Sequence, residues 1–248
     1  MRAKLIWGLV LILVACAAAL AVLPARWLMA VVPEQSPVII ADAHGTLWRG
    51  SATLAVGTPG NRRALPDPVN WSFQWSGGPR LVAKHAWMRN DLVLSPSWRG
   101  LRLSGQTLQL PAQALVSLHA MFNTLDPGGE LLISWPERVF GLGGPERGDR
   151  LLEVQWRLAS AGLSRVRPLG TYQLAVTQGE GGQADLVLST REGPLMMSAR
   201  GKASAKGMQL DGVAEVDSAA SGDTRAGLQN LLNALGTRRG EQAILRLR

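Results

Sequence analysis

The stretch IIADAHGTLWRGSATL, Ile39–Leu54, carries two strand-like runs on either side of Gly45-Thr46-Leu47-Trp48-Arg49-Gly50. Glycine reaches backbone conformations closed to other residues, so the chain is expected to reverse at His44-Gly45 and lead out through Ser51 to Val56 as a strand. Successive strand residues point to opposite faces, which sends Leu47 and Trp48 to different sides. One of them joins a core, and the other serves as a lid or a contact. A glycine turn with a packed tryptophan is the plain reading of these residues.

Working outward, period-two alternation dominates. Val69–Trp75 (VNWSFQW) alternates cleanly, as do Gly100–Gly105 and Leu108–Leu110, the pattern of half-buried strands. Further strands are expected at Val38–Ala41, Glu130–Trp135, Leu151–Leu158, Thr171–Thr177, Ala184–Thr190, Leu195–Ala203, Met208–Val216 and Ala243–Leu247. Gly and Pro clusters such as Gly77-Gly78-Pro79 and Asp126-Pro127-Gly128-Gly129 separate them, and the short spacings suit antiparallel neighbours. Two stretches have helical spacing. Ala112–Leu125 repeats Leu115, Leu118, His119 and Phe122 behind Pro111, and Thr224–Leu235 repeats Leu228, Leu231, Leu232 and Leu235, with Asp223 as N-cap and Gly236 as stop. Both are expected to be amphipathic covers over a sheet. Each is followed, after a glycine turn, by a strand, a loose echo that suggests two similar lobes. Eight of the nine tryptophans lie after residue 23 and none beyond Trp156, so the front lobe is expected to have an aromatic core that the back one replaces with Leu, Val and Met.

Leu5–Leu23 (LIWGLVLILVACAAALAVL) runs nineteen residues without a charge. As a helix it would extend about 28 Å at about 1.5 Å per residue, matching the hydrocarbon core of a bilayer. Arg2 and Lys4 before it keep the N-terminus in the cytoplasm by the positive-inside bias, and Trp27 follows at the outer interface. Two rival readings share the segment: a cleaved signal peptide at the small residues Ala15–Ala19, and a lipobox at Leu13-Val14-Ala15-Cys16 with Cys16 lipidated. The apolar run continues through Ala21-Val22-Leu23, where either signal would give way to polar sequence, so an uncleaved anchor is the simplest account. Cys16 is the only cysteine, which leaves the exported part without an internal disulfide or a thiolate metal site.

Chemistry is sparse. The formal charge is +8 over 22 arginines and four lysines, yet no basic run exceeds two residues and no nucleic-acid-binding pattern is present. The scattered cations suit a solvated basic surface with weak attraction to anionic lipid or acidic proteins. His44, His85 and His119 lack any second ligand at metal spacing, and no cofactor is implied. Gly141–Gly148 satisfies neither phosphate-loop pattern and reads as a turn. No nucleophile elbow or Ser/His/Asp spacing is found, and Asp67, Asp126, Asp149 and Asp223 sit in turns, so no enzyme activity is assigned.

Several of these features together resemble the type II secretion system protein N family, a component of the general secretion pathway. Leu23-Pro24-Ala25-Arg26-Trp27 is similar to the family's membrane exit, and Gly45–Ala52 to its GTLWxGxA signature. Trp71–Trp75 matches its Trp-containing strand, Pro168-Leu169-Gly170 a recurring turn, and Leu228–Gly236 with Ala243–Leu247 its closing helix and strand. The closing strand departs from the family pattern at Gly240-Glu241-Gln242-Ala243, where an aromatic residue after the glycine is typical. The resemblance implies a mainly β protein with no catalytic residues. It would be a single-pass inner-membrane accessory of the machine that moves folded periplasmic proteins across the outer membrane. Its partners would be the inner-membrane assembly platform and/or the outer-membrane secretin, with no nucleic acid. The implied layout is a cytoplasmic segment at 1–4, a transmembrane helix at 5–23, a linker at 24–37 and an antiparallel β-rich periplasmic domain at 38–248, with lobes at 38–148 and 149–248. Trp48 and Arg49 are the expected contact point for a partner protein. The alternative from another class is a periplasmic lipid or apolar-ligand handling protein with an AsmA-like β groove, lined by the Trp-rich strands.

Overall fold

A computed structural model of the chain describes residues 2–36, 38–57, 59–60, 62–117, 125–204 and 207–247. The molecule is mainly β and antiparallel. Helix α1 (Arg2–Ala21) and a 3-10 helix (Ala25–Ala30) precede strands β1 (Val38–Gly45), β2 (Arg49–Val56), β3 (Arg63–Ala64), β4 (Val69–Gln74), β5 (Arg80–Lys84), β6 (Leu92–Ser97), β7 (Gly100–Leu103) and β8 (Gln106–Pro111). After a second 3-10 helix (Ala112–Ser117) come β9 (Pro127–Trp135), β10 (Arg138–Gly141), β11 (Arg150–Ala161), β12 (Gly170–Gln178), β13 (Ala184–Glu192), β14 (Leu195–Ser204) and β15 (Gly207–Val216). Helix α2 (Gly222–Leu235) is followed by β16 (Thr237–Arg239) and β17 (Gln242–Leu247). The chain divides into two compact units, Met1–Ala86 with Val93–Ser95, and Trp87–Leu92 with Pro96–Arg248.

The second unit is built on a nine-stranded sheet in the order β16-β17-β15-β14-β13-β12-β11-β9-β8. Its register keeps one apolar row across eight strands: Leu108, Ile133, Val154, Leu174, Leu188, Ala199, Gly212 and Leu245 are successive cross-strand partners. The neighbouring row, Thr107, Ser134, Glu153, Ala175, Val187, Arg200, Asp211 and Arg246, faces the other way and is mostly polar. A slip of one residue would exchange the two faces, so the alternation in sequence determines the pairing.

Helix α2 covers part of the apolar face. Leu228, Leu231 and Leu232 are buried against Leu169, Tyr172, Leu195, Ala214 and Ala243. Ser221 is the N-cap, its hydroxyl accepting from Thr224 N at 3.2 Å, whereas the expected cap Asp223 lies inside the first turn. Gly236 ends the helix in extended backbone rather than in the left-handed conformation, and it is glycine for want of space, since an added Cβ would collide with the Ile244 carbonyl. The expected helix at Ala112–Leu125 starts as the 3-10 turn Ala112–Ser117; Leu118, His119 and Phe122 lie outside the described residues.

The aromatic core expected at the front does not form as such. Trp71 packs with Ala25, Ala52, Leu28 and Ile40, but Trp27, Trp48, Trp75 and Trp98 are exposed. The strands missing from the sequence reading, β3, β5, β6, β10 and β16, are each six residues or fewer and, unlike β4 and β7 of similar length, carry no clean polar–apolar alternation. Helix α1 is apolar around its circumference, with Leu11, Ile12, Leu13 and Val14 all exposed in succession. Among the described residues, no helix is long and apolar enough to cross a membrane.

Tyr172 closes the core of the second unit. Its hydroxyl lies 3.1 Å from the Leu169 carbonyl and 3.0 Å from the Leu195 carbonyl, sharing its one proton between them, and burial pushes the phenol well above its usual range. Tyr172→Phe leaves two buried acceptors without that donor and should lower stability by about 1–3 kcal/mol in denaturant unfolding. The sign of the pH dependence follows from the raised pKa. Above about pH 10 the unfolded chain loses the phenolic proton while the folded chain keeps it, so stability falls as pH rises. Tyr172→Phe should lack this component of alkaline destabilisation.

Candidate functional site

Strands β1 and β2 pair antiparallel from Val38↔Val56 to Gly45↔Gly50, with a bulge at Ala41. The tip Thr46-Leu47-Trp48 is a turn, so Leu47 and Trp48 do not alternate across a strand as the sequence reading expects. The tip is closed locally: Thr46 N donates to Arg49 O at 2.9 Å, and Arg49 N donates to Thr46 Oγ1 at 3.1 Å. Gly45 has φ +84°, and a Cβ there would lie 2.5 Å from Arg49 O. A Cβ on Gly50 would meet His44 O at 2.5 Å and the Trp71 ring at 2.7 Å. Both glycines are therefore required by close approach, and Gly45 by conformation as well.

The tip reaches the end of α1. The last carbonyls of a helix have no partner inside it and need donors from elsewhere. Trp48 Nε1 donates to Leu20 O at 2.7 Å, Leu47 N donates to Leu23 O at 2.9 Å, and Pro24 forms a bridge with Thr46. Below the tip, Trp71 Nε1 donates to Leu47 O at 3.0 Å, and Phe73 N donates to Trp48 O at 2.6 Å. The hairpin is thus a clasp on the helix exit, held from beneath by β4.

The register separates two faces of the first-unit sheet. Trp71 and Phe73 share a face with Ala52, Leu81 and Ala83, the face that receives the first 3-10 helix through Ala25 and Leu28. His44, Ser51, Asn70 and Lys84 are consecutive partners on the opposite face, beside Arg49 and Ser72. These polar residues line an open depression of about 420 Å³. His44 Nε2 lies 2.9 Å from Asp42 Oδ2, both well exposed. The depression offers hydrogen-bond donors and positive charge at the surface.

Trp48 and Arg49 are neighbours in sequence but serve different surroundings. Trp48 is 41% exposed with its indole N–H committed to α1, while Arg49 is exposed and lines the polar depression. Phe73 and Trp75 complete the aromatic side of the site, and Leu20 contributes only its backbone carbonyl. The signal for Phe73 and Trp75 is the i, i+2 spacing with Trp71. His85 Nε2 lies 2.9 Å from Asp67 O, and His119 lies outside the described residues. Among the described residues, no group of three or more His, Cys, Asp or Glu could hold a metal ion.

Trp48→Phe keeps an aromatic ring but deletes the bond to Leu20 O. Thermal unfolding of the full-length protein in detergent should show a loss of about 1 kcal/mol, with Arg49→Ala close to wild type. Gly50→Ala should be worse than Trp48→Phe, because the added methyl must displace both the His44 carbonyl and the Trp71 ring, an overpacking cost of about 1–3 kcal/mol.

No curated protein and no solved structure matches the chain at a significant level. A model of the family described as Type II secretion system (T2SS), protein N matches residues 36–247, which take in the clasp, β4 and the closing helix and strands. That family is a secretion-system component rather than a known enzyme family. The chain belongs to the type II secretion system protein N family, and with that membership comes a role in type II secretion.

Proposed function

We propose that the protein is an inner-membrane accessory of the type II secretion system, with its N-terminus in the cytoplasm and its β-rich part in the periplasm. It acts by protein–protein contact on the inner-membrane assembly platform and/or the outer-membrane secretin, in the export of folded proteins across the outer membrane. The observation that carries this reading is the clasp. The turn Gly45–Gly50, which lies inside the family segment, holds the exit of an apolar helix, through Trp48 Nε1 to Leu20 O and Leu47 N to Leu23 O. A domain tied in this way to Leu5–Leu23 suits a membrane-held scaffold. The anchor itself rests on that uncharged run of sequence, which extends beyond α1. Arg49, exposed beside the clasp on the polar face of the sheet, is the first candidate contact for a partner.

A second reading, handling of an apolar ligand, draws on the apolar row of the nine-stranded sheet, where Ile133, Val154 and Leu174 are only half-buried. Crosslinking capture of the tagged full-length protein from its native membrane, with mass spectrometry of bound proteins and lipids, separates the two. Platform or secretin components without enriched phospholipid are expected. Stoichiometric lipid without those proteins would overturn the scaffold reading. Arg49→Ala leaves the backbone bonds of the clasp in place and should weaken the capture without lowering stability.

A further inference from the structure

Three aromatic side chains form a continuous strip on one face of the first-unit sheet. Trp48 meets Phe73 edge-on, with ring centroids 5.4 Å apart, and Phe73 meets Trp75 at 5.9 Å. The strip is bare: Trp48 is 41% exposed, Phe73 36% and Trp75 74%. An exposed aromatic patch of this kind marks a surface that another phase or molecule covers.

What covers it is indicated by where it starts. The Trp48 indole bonds to Leu20 in the last turn of α1, so the strip begins where the exposed apolar helix ends. Trp27, on the 3-10 helix that follows α1, is also exposed, and so are Arg26 before it and Val31 after it. Indole rings and arginines at the end of an apolar helix match the boundary between acyl chains and headgroups, where an apolar body and a polar tip are both satisfied. The opposite face of the sheet carries His44, Ser51, Asn70 and Lys84 and belongs in water.

We propose that the Trp48–Phe73–Trp75 strip seats the first β unit on the bilayer surface at the exit of α1, with the rings at the headgroup–acyl boundary. The proposal rests on the anchor reading given above, and adds that the sheet lies against the membrane rather than standing off it on a tether.

The test uses the full-length chain with Cys16→Ala, reconstituted in vesicles of phosphatidylethanolamine and phosphatidylglycerol. Nitroxides are placed singly at Ala19→Cys in α1, Ser76→Cys beside Trp75 and Thr53→Cys on the polar face. Power-saturation EPR compares access by oxygen, which concentrates in lipid, with access by a water-soluble nickel chelate. The expected result is position 19 in lipid, position 76 at headgroup depth and position 53 in water. Trp75→Ser, which removes a mostly exposed ring, should shift position 76 to the accessibility of position 53. If position 19 is in lipid while position 76 matches position 53, the strip is not seated and only the anchor survives. If position 76 is shielded from both reagents, a protein surface covers the strip and the proposal fails. If position 19 itself is aqueous, the anchor reading and the proposal fall together.

Discussion

A side chain on a β-strand faces away from both its neighbours in sequence, and the nine-stranded sheet obeys that constraint in register over eight strands. Leu108 at one end and Leu245 at the other belong to one apolar row because every intervening strand keeps its parity, with the bulge at Arg157/Ser160 accommodated beyond that row. Once the row exists, the apolar face needs cover, and the polar groups of the other face need partners or water. Helix α2 answers the first demand with Leu228, Leu231 and Leu232, and Tyr172 satisfies two carbonyls that the packing has removed from water. Such rows tie residues that are far apart in the chain, which makes the register costly to change at any single strand.

The first unit uses the same alternation on a smaller sheet and adds a second constraint, the carbonyls of Leu20 and Leu23 at the exit of α1. These acceptors find donors in the hairpin tip, and the tip in turn is held by Trp71 and Phe73. Most residues of Gly45–Gly50 then have a reason to be what they are. Gly45 bends, Thr46 closes the turn, Trp48 supplies its indole donor to the helix exit, and Gly50 makes room for the Trp71 ring. Leu47 joins the clasp through its backbone, and the Arg49 side chain stands exposed on the polar face. A turn built in this way is a joint between the first helix and the first sheet.

Much of this was legible in the residues. The strands of the nine-stranded sheet with clear alternation were found where the period places them, and the helix over Leu228–Leu235 was found with its apolar stripe buried. The short strands β3, β5, β6, β10 and β16 were not, since none of them alternates cleanly between polar and apolar residues. Asp223 looked like the cap of α2, but a residue two places earlier, Ser221, has the extended backbone that lets its hydroxyl reach Thr224 N. Trp48 looked like one side of a strand. Its bond to Leu20 spans twenty-eight residues, and no local pattern carries a contact of that separation.

The sequence by itself determined the β class, the apolar N-terminal run, the turn at Gly45 and the resemblance to the secretion family, because these depend on local period, composition and backbone freedom. Only the tertiary structure decided that Trp48 donates to a carbonyl at the end of a helix, that Gly50 and Gly236 are glycines for want of space, and that Phe73 is partly and Trp75 largely exposed while Trp71 is buried. Those outcomes depend on which distant carbonyl, ring or chain lies opposite a given residue, and that is settled when the sheet closes.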